Sequence, residues 1–502
     1  MENKILELPL KLSEKLNYEN INYCHFKSNE HIDASFSGDT DLDILFDNTQ
    51  YDKIKTILLE LGFRKFNAAW FVDYPFVEDY IAIDSGKIIH VHAHFKLILG
   101  ESKVKSYILP WENDFFKNRV LLDKYNIYIS SPVEETLLLI IRMALKLPAS
   151  PKDYMNKRDT IDACREFEWL KEKVTANEII KLSYIKLELD LTNEINEIYS
   201  KNITYENLHK FYDKVIIKLN EYRRYSMLTS KVVKLARRIA QKISTINKKL
   251  NLIDLFKNHR TLDGDGIIIS IMGSDGSGKS TQVGMVKDIL IKKMDVRYIY
   301  MGSGEGPSSW HRNLLKLLKK LISKPNNKQV IEDIPENKKG NKLNKLTFKN
   351  ILKLIYIISL AIEKSSKLQK LQAYKKRGMM SITDRYPQIQ ITGYNDGPLL
   401  FEYLNSDNFI IKLFAKYEYN LYKRSIKMPP DLVVKLIGDP KILYSRRSDE
   451  ITLEMLRRKQ DGIKQLKFTE NTTVAELNSN NTIQSINLEI MNLISKEMKD
   501  KK

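Results

Sequence analysis

Cysteine is scarce in this chain of 502 residues, which contains only Cys24 and Cys164. Two thiols argue against a disulfide framework and against a cysteine metal cluster. The N-terminal segment also has no apolar run of the kind that forms a signal peptide. These absences favour a reducing compartment, and we expect a cytoplasmic protein.

Long hydrophobic runs are absent as well. The longest candidate for a membrane-spanning segment, residues 354–362, has nine uncharged residues and is flanked by Lys353 and Glu363. Because a membrane-spanning helix needs about 20 apolar residues, we predict no membrane span. The composition, 43% hydrophobic and 29% charged, is typical of a globular chain with about two to four domains.

Acidic residues are outnumbered by basic ones. Lys and Arg total 82 against 63 Asp and Glu, which gives a formal net charge of +19. This balance predicts an anionic partner, and nucleic acid, phosphorylated small molecules and an acidic membrane surface all remain open. The alternative is that most of the positive charge is solvated surface.

Glycine is absent from residues 152–263, which follow a proline-rich turn signal at 148–151. Segments 179–199 and 205–225 carry apolar residues at helical spacing. We therefore predict a helical region here.

Residues 222–253 contain no acidic side chain. An apolar stripe and many basic residues share this stretch, which predicts a basic amphipathic helix. Such a helix can lie on an anionic membrane, hold an acidic polymer or pack internally. The stripe is Leu228, Val232, Leu235, Ile239, Ile243, Ile246 and Leu250, and the basic residues are Arg223, Arg224, Lys231, Lys234, Arg237, Arg238, Lys242, Lys248 and Lys249.

Glycine is concentrated in the sequence Gly-Ser-Asp-Gly-Ser-Gly-Lys-Ser at residues 273–280. An apolar run at 266–272 precedes it, and 283–294 follows with helical spacing. The order of strand, glycine loop and helix predicts a phosphate-binding loop, because glycines let backbone N–H groups surround a phosphate. The alternative is a glycine-rich surface turn. We expect phosphate contacts from Gly273, Ser274, Gly276, Ser277, Gly278, Lys279, Ser280 and Thr281, with Lys279 on the β- and γ-phosphates and Ser280 on Mg²⁺.

A predicted strand at 379–383 ends at Asp384-Arg385-Tyr386-Pro387. An acid at the end of a strand beside a phosphate loop can hold Mg²⁺ or orient an acceptor. The adjacent arginine supplies a forked donor for phosphoryl oxygens. We therefore predict that Asp384 and Arg385 are catalytic and that Asp384 is also a metal ligand.

In the first third of the chain, a predicted strand at 41–46 places Asp41 and Asp43 on one face. Two neighbouring carboxylates repel each other unless a cation lies between them, so the pair predicts a divalent metal site. A later strand carries three histidines on one face, which could also ligate a metal. They are His90, His92 and His94.

The C-terminal motifs resemble the thymidylate kinase family over most of residues 265–490. Residues 273–282 look like that family's phosphate loop, including Asp275. Asp384-Arg385-Tyr386 looks like its Asp-Arg-Tyr motif, and residues 430–436 look like the strand that follows. The resemblance implies ATP and Mg²⁺ as cofactors. It also implies that Asp275 contacts a sugar hydroxyl of the acceptor and that Arg385 contacts its phosphate.

By the same resemblance, residues 446–458 fall where the family has an arginine-bearing lid, and we expect Arg447 and Arg458 to bind the nucleotide. The alternative for these arginines is a solvated helix face. Residues 478–480 fall where the family holds adenine. At 304–307 this chain lacks the family's Arg-Glu-Pro motif, which puts dTMP itself in doubt as the acceptor.

The N-terminal residues resemble the polymerase-β type of nucleotidyltransferase, in which Asp41 and Asp43 match the metal-binding pair. Two departures stand out. The nearest candidate for the family's preceding turn is Lys27-Ser28-Asn29, and a histidine stands where active members carry a third carboxylate. An active nucleotidyltransferase and a retained fold that binds a ligand or partner are both open.

The predicted fold class is therefore α/β. It comprises an α+β nucleotidyltransferase-like domain (1–145), a helical linker domain (146–262) and a P-loop kinase domain with a parallel sheet flanked by helices (263–502). The predicted function is ATP-dependent phosphotransfer to an anionic or hydroxyl-bearing, nucleotide- or sugar-like acceptor.

Several alternatives to this function remain open. One is a dTMP kinase with an appended regulatory domain, and another is a non-catalytic ATP-binding switch. A third is a nucleotidyltransferase acting through Asp41 and Asp43. Thymidylate-kinase-like proteins encoded with bacterial surface-polysaccharide enzymes have a similar architecture, which offers a metabolic setting by analogy. A homodimer is a further option.

Overall fold

The computed structural model describes residues 4–148, 150–155, 158–250, 259–302, 347–446 and 452–500. The chain divides into two compact units, Met1–Arg260 and Thr261–Lys502. Both cysteines are free thiols. In the described ranges, no helix is both long enough and apolar enough to cross a bilayer.

A mixed β-sheet forms the frame of the first unit. Leu42–Phe46 runs parallel to Lys87–His94, with Asp43 opposite His92. The sheet brings the predicted aspartate and histidine strands side by side. In order across the sheet, its strands include Arg64–Asn67, Val77–Asp84, Lys87–His94, Leu42–Phe46, Tyr23–His25, Ile127–Ile129 and Val120–Leu122. A separate antiparallel pair consists of Leu97–Leu99 and Tyr107–Leu109.

The α-helices of the first unit pack into two buried clusters. One joins the first helix and the sheet through Leu12, Ile44 and Ile57. The other joins the sheet residue Leu45 to the later helices, including Phe211. The helical region thus shares a core with the sheet. The helices are Glu7–Tyr18, Ile32–Phe36, Tyr51–Glu60, Glu112–Lys117, Pro132–Ala144, Pro151–Met155, Arg158–Lys171, Ala176–Leu187, Thr192–Lys201, Tyr205–Leu219 and Met227–Leu250.

The second unit is built on a parallel sheet. The P-loop strand, Ile268–Gly273, lies between Met380–Asp384 and Leu432–Ile437. Val296–Tyr300 and Thr473–Asn478 form the two edges of the sheet in the described residues. The chain leaves the central strand first toward one edge and later toward the other, which is the arrangement that opens a crevice at the carboxyl ends of the strands.

Helices flank this sheet. The helices Phe348–Lys375 and Leu453–Gln465 contribute to one buried cluster with Ile268 and Val433 of the sheet. Lys279–Leu290 packs beside Ile483–Asp500, where Gln282 Nε2 donates a 2.9 Å hydrogen bond to the carbonyl of Ile483. The remaining described helices are Phe409–Tyr422, Arg424–Lys427 and Pro440–Ser445.

The prediction of an α/β chain with a parallel C-terminal sheet is confirmed. The strand predicted at 41–46 is Leu42–Phe46, and the one predicted at 379–383 is Met380–Asp384. Within the predicted helical region, neither of the two segments with helical spacing is one uninterrupted helix. Segment 179–199 is two helices, because Glu188 adopts a left-handed φ of 56° that ends the first. Segment 205–225 is helical only to Leu219, followed by a short 3-10 turn.

Some predictions fall outside the described residues. These are the departure at 304–307, the lid residue Arg447, and the side chains of Lys248, Lys249 and Leu250.

Candidate active site

The glycine-rich segment 273–280, called here the phosphate loop, connects the P-loop strand to the helix Lys279–Leu290. Gly276 and Gly278 adopt left-handed φ angles of 76° and 84°, which residues with a Cβ rarely tolerate. A Cβ at position 276 would come within 2.7 Å of the Leu443 carbonyl oxygen, whereas one at 278 would meet nothing within 4 Å. The loop therefore turns tightly at Gly276 and leaves open space beside Gly278.

Polar side chains of the phosphate loop are buried with few partners. The hydroxyls of Ser274 and Ser277 have no hydrogen-bond partner within the described part of the chain. Lys279 is 7% exposed, and its ammonium donates a 2.7 Å hydrogen bond to the Ser274 carbonyl. Burial, followed by the charge of Arg385, lowers the pKa of Lys279 to about 8. A desolvated ammonium at a helix N-terminus is an environment that a phosphate would stabilise.

Asp384 lies next to the loop because the sheet aligns the two strands. It pairs with Ile271 in the P-loop strand, and the Ser280 hydroxyl donates a 3.0 Å hydrogen bond to its Oδ2. Its Oδ1 is buried and has no hydrogen-bond partner among the described residues, and burial raises the pKa of Asp384. A free carboxylate oxygen beside a serine hydroxyl fits a small divalent cation that prefers oxygen ligands, such as Mg²⁺.

Arg385 extends this cluster with a φ of 70°, a strained value for a residue with a side chain. Its guanidinium lies 3.3 Å from Asp275 Oδ1 and 3.7 Å from Asp396 Oδ2. Lys459 Nζ donates a 2.9 Å hydrogen bond to the other oxygen of Asp275. Burial opposes ionisation of Asp275, but the surrounding cations, with Lys459 foremost, outweigh it and lower its pKa to about 2. Asp275 and Arg385 are therefore neighbours in the structure.

Sequence reasoning missed three residues of this cluster: Asp396, Lys364 and Lys459. Asp396 is ion-paired with Lys364 at 2.9 Å, and both side chains are nearly buried, at 7% and 6% exposure. Asp396 belongs to a turn sequence, Asn-Asp-Gly, and Lys364 to a long helix with many lysines. Nothing local distinguishes them, because their burial depends on how the turn and the helix pack.

Arg446 and Arg458, which lie in the segment predicted as a lid, contact different parts of the second unit. Arg446 donates to the carbonyls of Gly276 at 3.3 Å and Ser479 at 3.4 Å, so it bridges the phosphate loop to the loop after Thr473–Asn478. Arg458 instead lies 5.0 Å from the ring of Tyr394. From the same helix, Lys459 reaches Asp275. Thr281 is exposed in the first turn of the helix after the loop.

A shallow cavity of about 340 Å³ lies where the family resemblance places adenine. It is lined by Ile437, Gly438, Asp439, Glu476, Leu477, Asn478 and Asn480. The Ser479 contact of Arg446 connects this cavity to the phosphate loop. The cavity, the loop and the Asp384 cluster therefore follow one another along the carboxyl edge of the sheet.

The first unit brings together the residues of its predicted metal site but gives each carboxylate a basic partner. Lys27 Nζ lies 2.9 Å from Asp43 Oδ1. His90 lies between Asp41 and Asp79, with ring nitrogens 3.0 and 2.8 Å from their carboxylates. Burial disfavours the charged imidazole, but these two carboxylates outweigh it and raise the pKa of His90 to about 9. Lys27 is thus the basic partner of Asp43, and Asp41 shares the charge of His90 with Asp79.

The three histidines do not act as one set. His92 Nδ1 lies 3.0 Å from Asp43 Oδ1, and His94 Nε2 lies 3.8 Å from the same oxygen. Ligand atoms of Asp43, His92 and His94 lie within 4.8 Å of one another, close enough to hold a metal ion. Lys27 contacts the same carboxylate oxygen, however, so a metal would have to displace its ammonium.

The fold and this site define a P-loop α/β protein. No protein-family model matches the chain. Over 209 residues the chain is 27% identical to the uncharacterized ATP-binding protein YghS of Escherichia coli K12, a match that covers 40% of this chain and 81% of YghS. It is 25% identical over 194 residues to the uncharacterized ATP-binding protein YghR of the same strain, a match that covers 38% of this chain and 71% of YghR.

Among solved structures, the deoxyadenosine kinase of M. mycoides with bound dATP is 17% identical to this chain. The match covers 45% of this chain and 99% of that one, with a TM-score of 0.24.

Proposed function

We propose that the second unit is an ATP-dependent phosphotransferase, similar to thymidylate kinases, that transfers the γ-phosphoryl group of ATP to a nucleotide- or sugar-like acceptor. The observation that carries this proposal is the contact between Ser280 of the phosphate loop and Asp384 of the neighbouring strand, whose other carboxylate oxygen has no hydrogen-bond partner among the described residues. The two Escherichia coli relatives, both named as ATP-binding proteins, support the choice of nucleotide.

On the donor side, the phosphate loop binds the phosphates of ATP through its backbone N–H groups and Lys279. The ammonium of Lys279 neutralises charge that builds on the transferred group. Ser280 and Asp384 would hold Mg²⁺, which when bound lowers the charge on the phosphates. The cavity beside Asn478 receives the base.

On the acceptor side, the Asp275–Arg385–Asp396 cluster orients the second substrate. Arg385 offers a forked donor for an acceptor phosphate, and Asp275 can accept a hydrogen bond from an acceptor hydroxyl. The buried Lys364–Asp396 pair holds Arg385 in place. Catalysis comes from positioning the γ-phosphate of ATP in line with an oxygen atom of the acceptor, without a covalent intermediate.

The test is a panel of candidate acceptors, including dTMP, other nucleoside monophosphates, sugars and sugar phosphates, offered with ATP while ADP release is measured. The Lys279→Ala variant is the blank. Turnover that depends on one acceptor and is lost in the variant supports the proposal. ATP binding without turnover on any acceptor would favour the non-catalytic switch, and turnover on dTMP alone would identify a dTMP kinase.

For the first unit we propose a retained nucleotidyltransferase-like fold that binds a partner rather than transferring nucleotides. The observation that favours it is the pairing of Asp43 with Lys27 and of Asp41 with His90. A nucleotidyltransferase would need these carboxylates for divalent cations. Transfer of label from α-labelled nucleoside triphosphates, lost on Asp41→Asn, would overturn this proposal.

A further inference from the structure

The helix Met227–Leu250 lies on the first unit with its polar side inward. Arg237, in the middle of the helix, donates hydrogen bonds to the carbonyls of Asp73 at 2.7 Å and Lys103 at 3.0 Å. Its guanidinium also lies 5.2 Å from the ring centre of Tyr74. Ser230, seven residues earlier and so on the same helical face, is buried at 4% exposure. An amphipathic helix usually buries its apolar face instead.

The apolar stripe of this helix faces outward as a result. At 100° per residue, Leu235 and Ile246 lie nearly opposite Arg237. The exposed stripe residues, with their exposures, are Leu228 at 76%, Val232 at 67%, Leu235 at 61%, Ile239 at 49%, Ile243 at 42% and Ile246 at 55%. Contiguous exposure of six large aliphatic side chains marks an interaction surface.

A neighbouring segment of the same unit carries two exposed aromatic side chains on the Arg237 side of the helix. The 3-10 turn Trp70–Val72 lies beside the helix, with Trp70 5.8 Å from the guanidinium of Arg237. Trp70 is 46% exposed, and Phe76 is 45% exposed.

The charges beside the stripe select the partner. Lys231, Arg238 and Lys242 flank it along one side and are exposed, and residues 222–253 contain no acidic side chain. A second copy of the helix would bring identical charges together, which disfavours self-association through this face. Nucleic acid would use the lysines but would leave the aliphatic stripe in water. An anionic lipid surface matches both features, since acyl chains accept the stripe and head groups attract the lysines.

We propose that the first unit docks on an anionic membrane surface through the apolar stripe and basic flank of the helix Met227–Leu250. The helix lies parallel to the membrane plane, with Arg237 holding it to the protein. This is a peripheral attachment, and it does not depend on the proposed phosphotransfer.

The experiment is sedimentation of the full chain with vesicles of phosphatidylcholine containing about 30% phosphatidylserine, compared with vesicles of phosphatidylcholine alone. We expect the protein to bind the anionic vesicles at low salt. Its affinity should be at least about tenfold lower for the neutral vesicles, and also at least about tenfold lower for the anionic vesicles in about 0.5 M NaCl. Leu235→Ser/Ile239→Ser and Arg238→Glu/Lys242→Glu should each weaken binding at least about tenfold.

The matched control is Ile217→Ser, which replaces an aliphatic residue that is 79% exposed on a different helix and should leave vesicle binding unchanged. Circular dichroism on heating verifies that each variant is folded.

Three outcomes would overturn the proposal. One is that the wild type does not sediment with anionic vesicles at low salt. Another is a wild-type dimer in analytical ultracentrifugation that Leu235→Ser/Ile239→Ser converts to monomer, which would make a second copy the occupant. The third is that the wild type binds RNA or heparin but not vesicles, and that Leu235→Ser/Ile239→Ser binds RNA or heparin equally well.

Discussion

The Ser280 hydroxyl donates a 3.0 Å hydrogen bond to the carboxylate of Asp384, 104 positions further along the chain. The contact exists because two parallel strands end at the same edge of the sheet, one at the phosphate loop and the other at Asp384. It leaves the second oxygen of Asp384 buried without a hydrogen-bond partner in the ranges that the structure describes. This oxygen makes Asp384 the best-defined candidate ligand for a divalent cation in the second unit.

Asp384→Asn should lower phosphotransfer by about 10²- to 10³-fold, because an amide cannot replace a carboxylate at Mg²⁺. Since burial raises the pKa of Asp384, the neutral amide should not lower the melting temperature. Steady-state ADP release across a Mg²⁺ titration, together with a thermal melt, measures both effects. Asp461→Asn, an exposed position on the helix Leu453–Gln465, is the control and should behave as wild type.

Lys279 should take up a proton when ATP binds at about pH 8.5. Its pKa is lowered to about 8 in the free protein by burial and by Arg385, so part of the population is neutral there. Bound phosphates stabilise the ammonium and raise this pKa, so binding couples to protonation and weakens as pH rises above 8. Calorimetry in two buffers of different ionisation enthalpy measures the uptake. The uptake should vanish in Lys279→Met and persist in Lys287→Met, and equal enthalpies for the wild type would contradict the prediction.

Asp396→Asn should lower the melting temperature of the second unit by about 10 °C, because it leaves the buried ammonium of Lys364 without its carboxylate. Burial disfavours the charged ammonium, but the attraction of the Asp396 carboxylate is stronger and raises the pKa of Lys364. The double variant Lys364→Met/Asp396→Asn should recover much of the loss, since it removes the uncompensated charge. Glu7→Gln, which breaks an exposed pair with Lys11, should leave the melting temperature nearly unchanged, because solvent screens an exposed ion pair. Differential scanning calorimetry provides the comparison.

His90 should titrate near pH 9 in the folded protein, because the carboxylates of Asp41 and Asp79 beside its ring nitrogens outweigh the effect of burial. The folded pKa lies above the unfolded value of about 6.5. The stabilisation that the charged His90 side chain gives the folded protein is therefore fully present below about pH 6.5 and is lost as pH rises through 9. Carbon–proton correlation spectra of histidine-labelled protein follow the ring directly. Asp41→Asn should lower the midpoint, whereas Asp52→Asn, on an exposed helical turn, should not.

Lys27→Ala should create affinity for a transition metal such as Zn²⁺ in the first unit. Removing the ammonium leaves the Asp43 carboxylate with His92 and His94, whose ligand atoms lie within 4.8 Å of one another. Calorimetric titration of the variant should show one added site, and Lys27→Ala/His94→Ala should lose it. If the wild type binds Zn²⁺ as tightly through these residues, Lys27 is not the resident cation that we propose.

The local elements of the active site were predictable because each has a pattern within a few residues. The loop at 273–280 has glycines at the two positions that need left-handed φ, and the apolar runs around it match strand and helix periods. The Asp-Arg pair follows a strand directly. The helix end at Glu188 could not be located from the sequence, because a non-glycine residue adopts the left-handed conformation there and periodicity offers no signal for it.

The sequence by itself determined where the phosphate loop lies, which residues follow the neighbouring strand, and that one helix carries an apolar stripe beside basic charge. Only the tertiary structure decided which face of that helix is buried, because Arg237 finds its carbonyl acceptors on Asp73 and Lys103, which are distant in sequence. It likewise decided that Asp43 is paired with Lys27 and that Asp396 and Lys364 lie buried behind Arg385. Charge pairing and burial depend on distances between residues that are far apart in the chain, and only packing sets those distances.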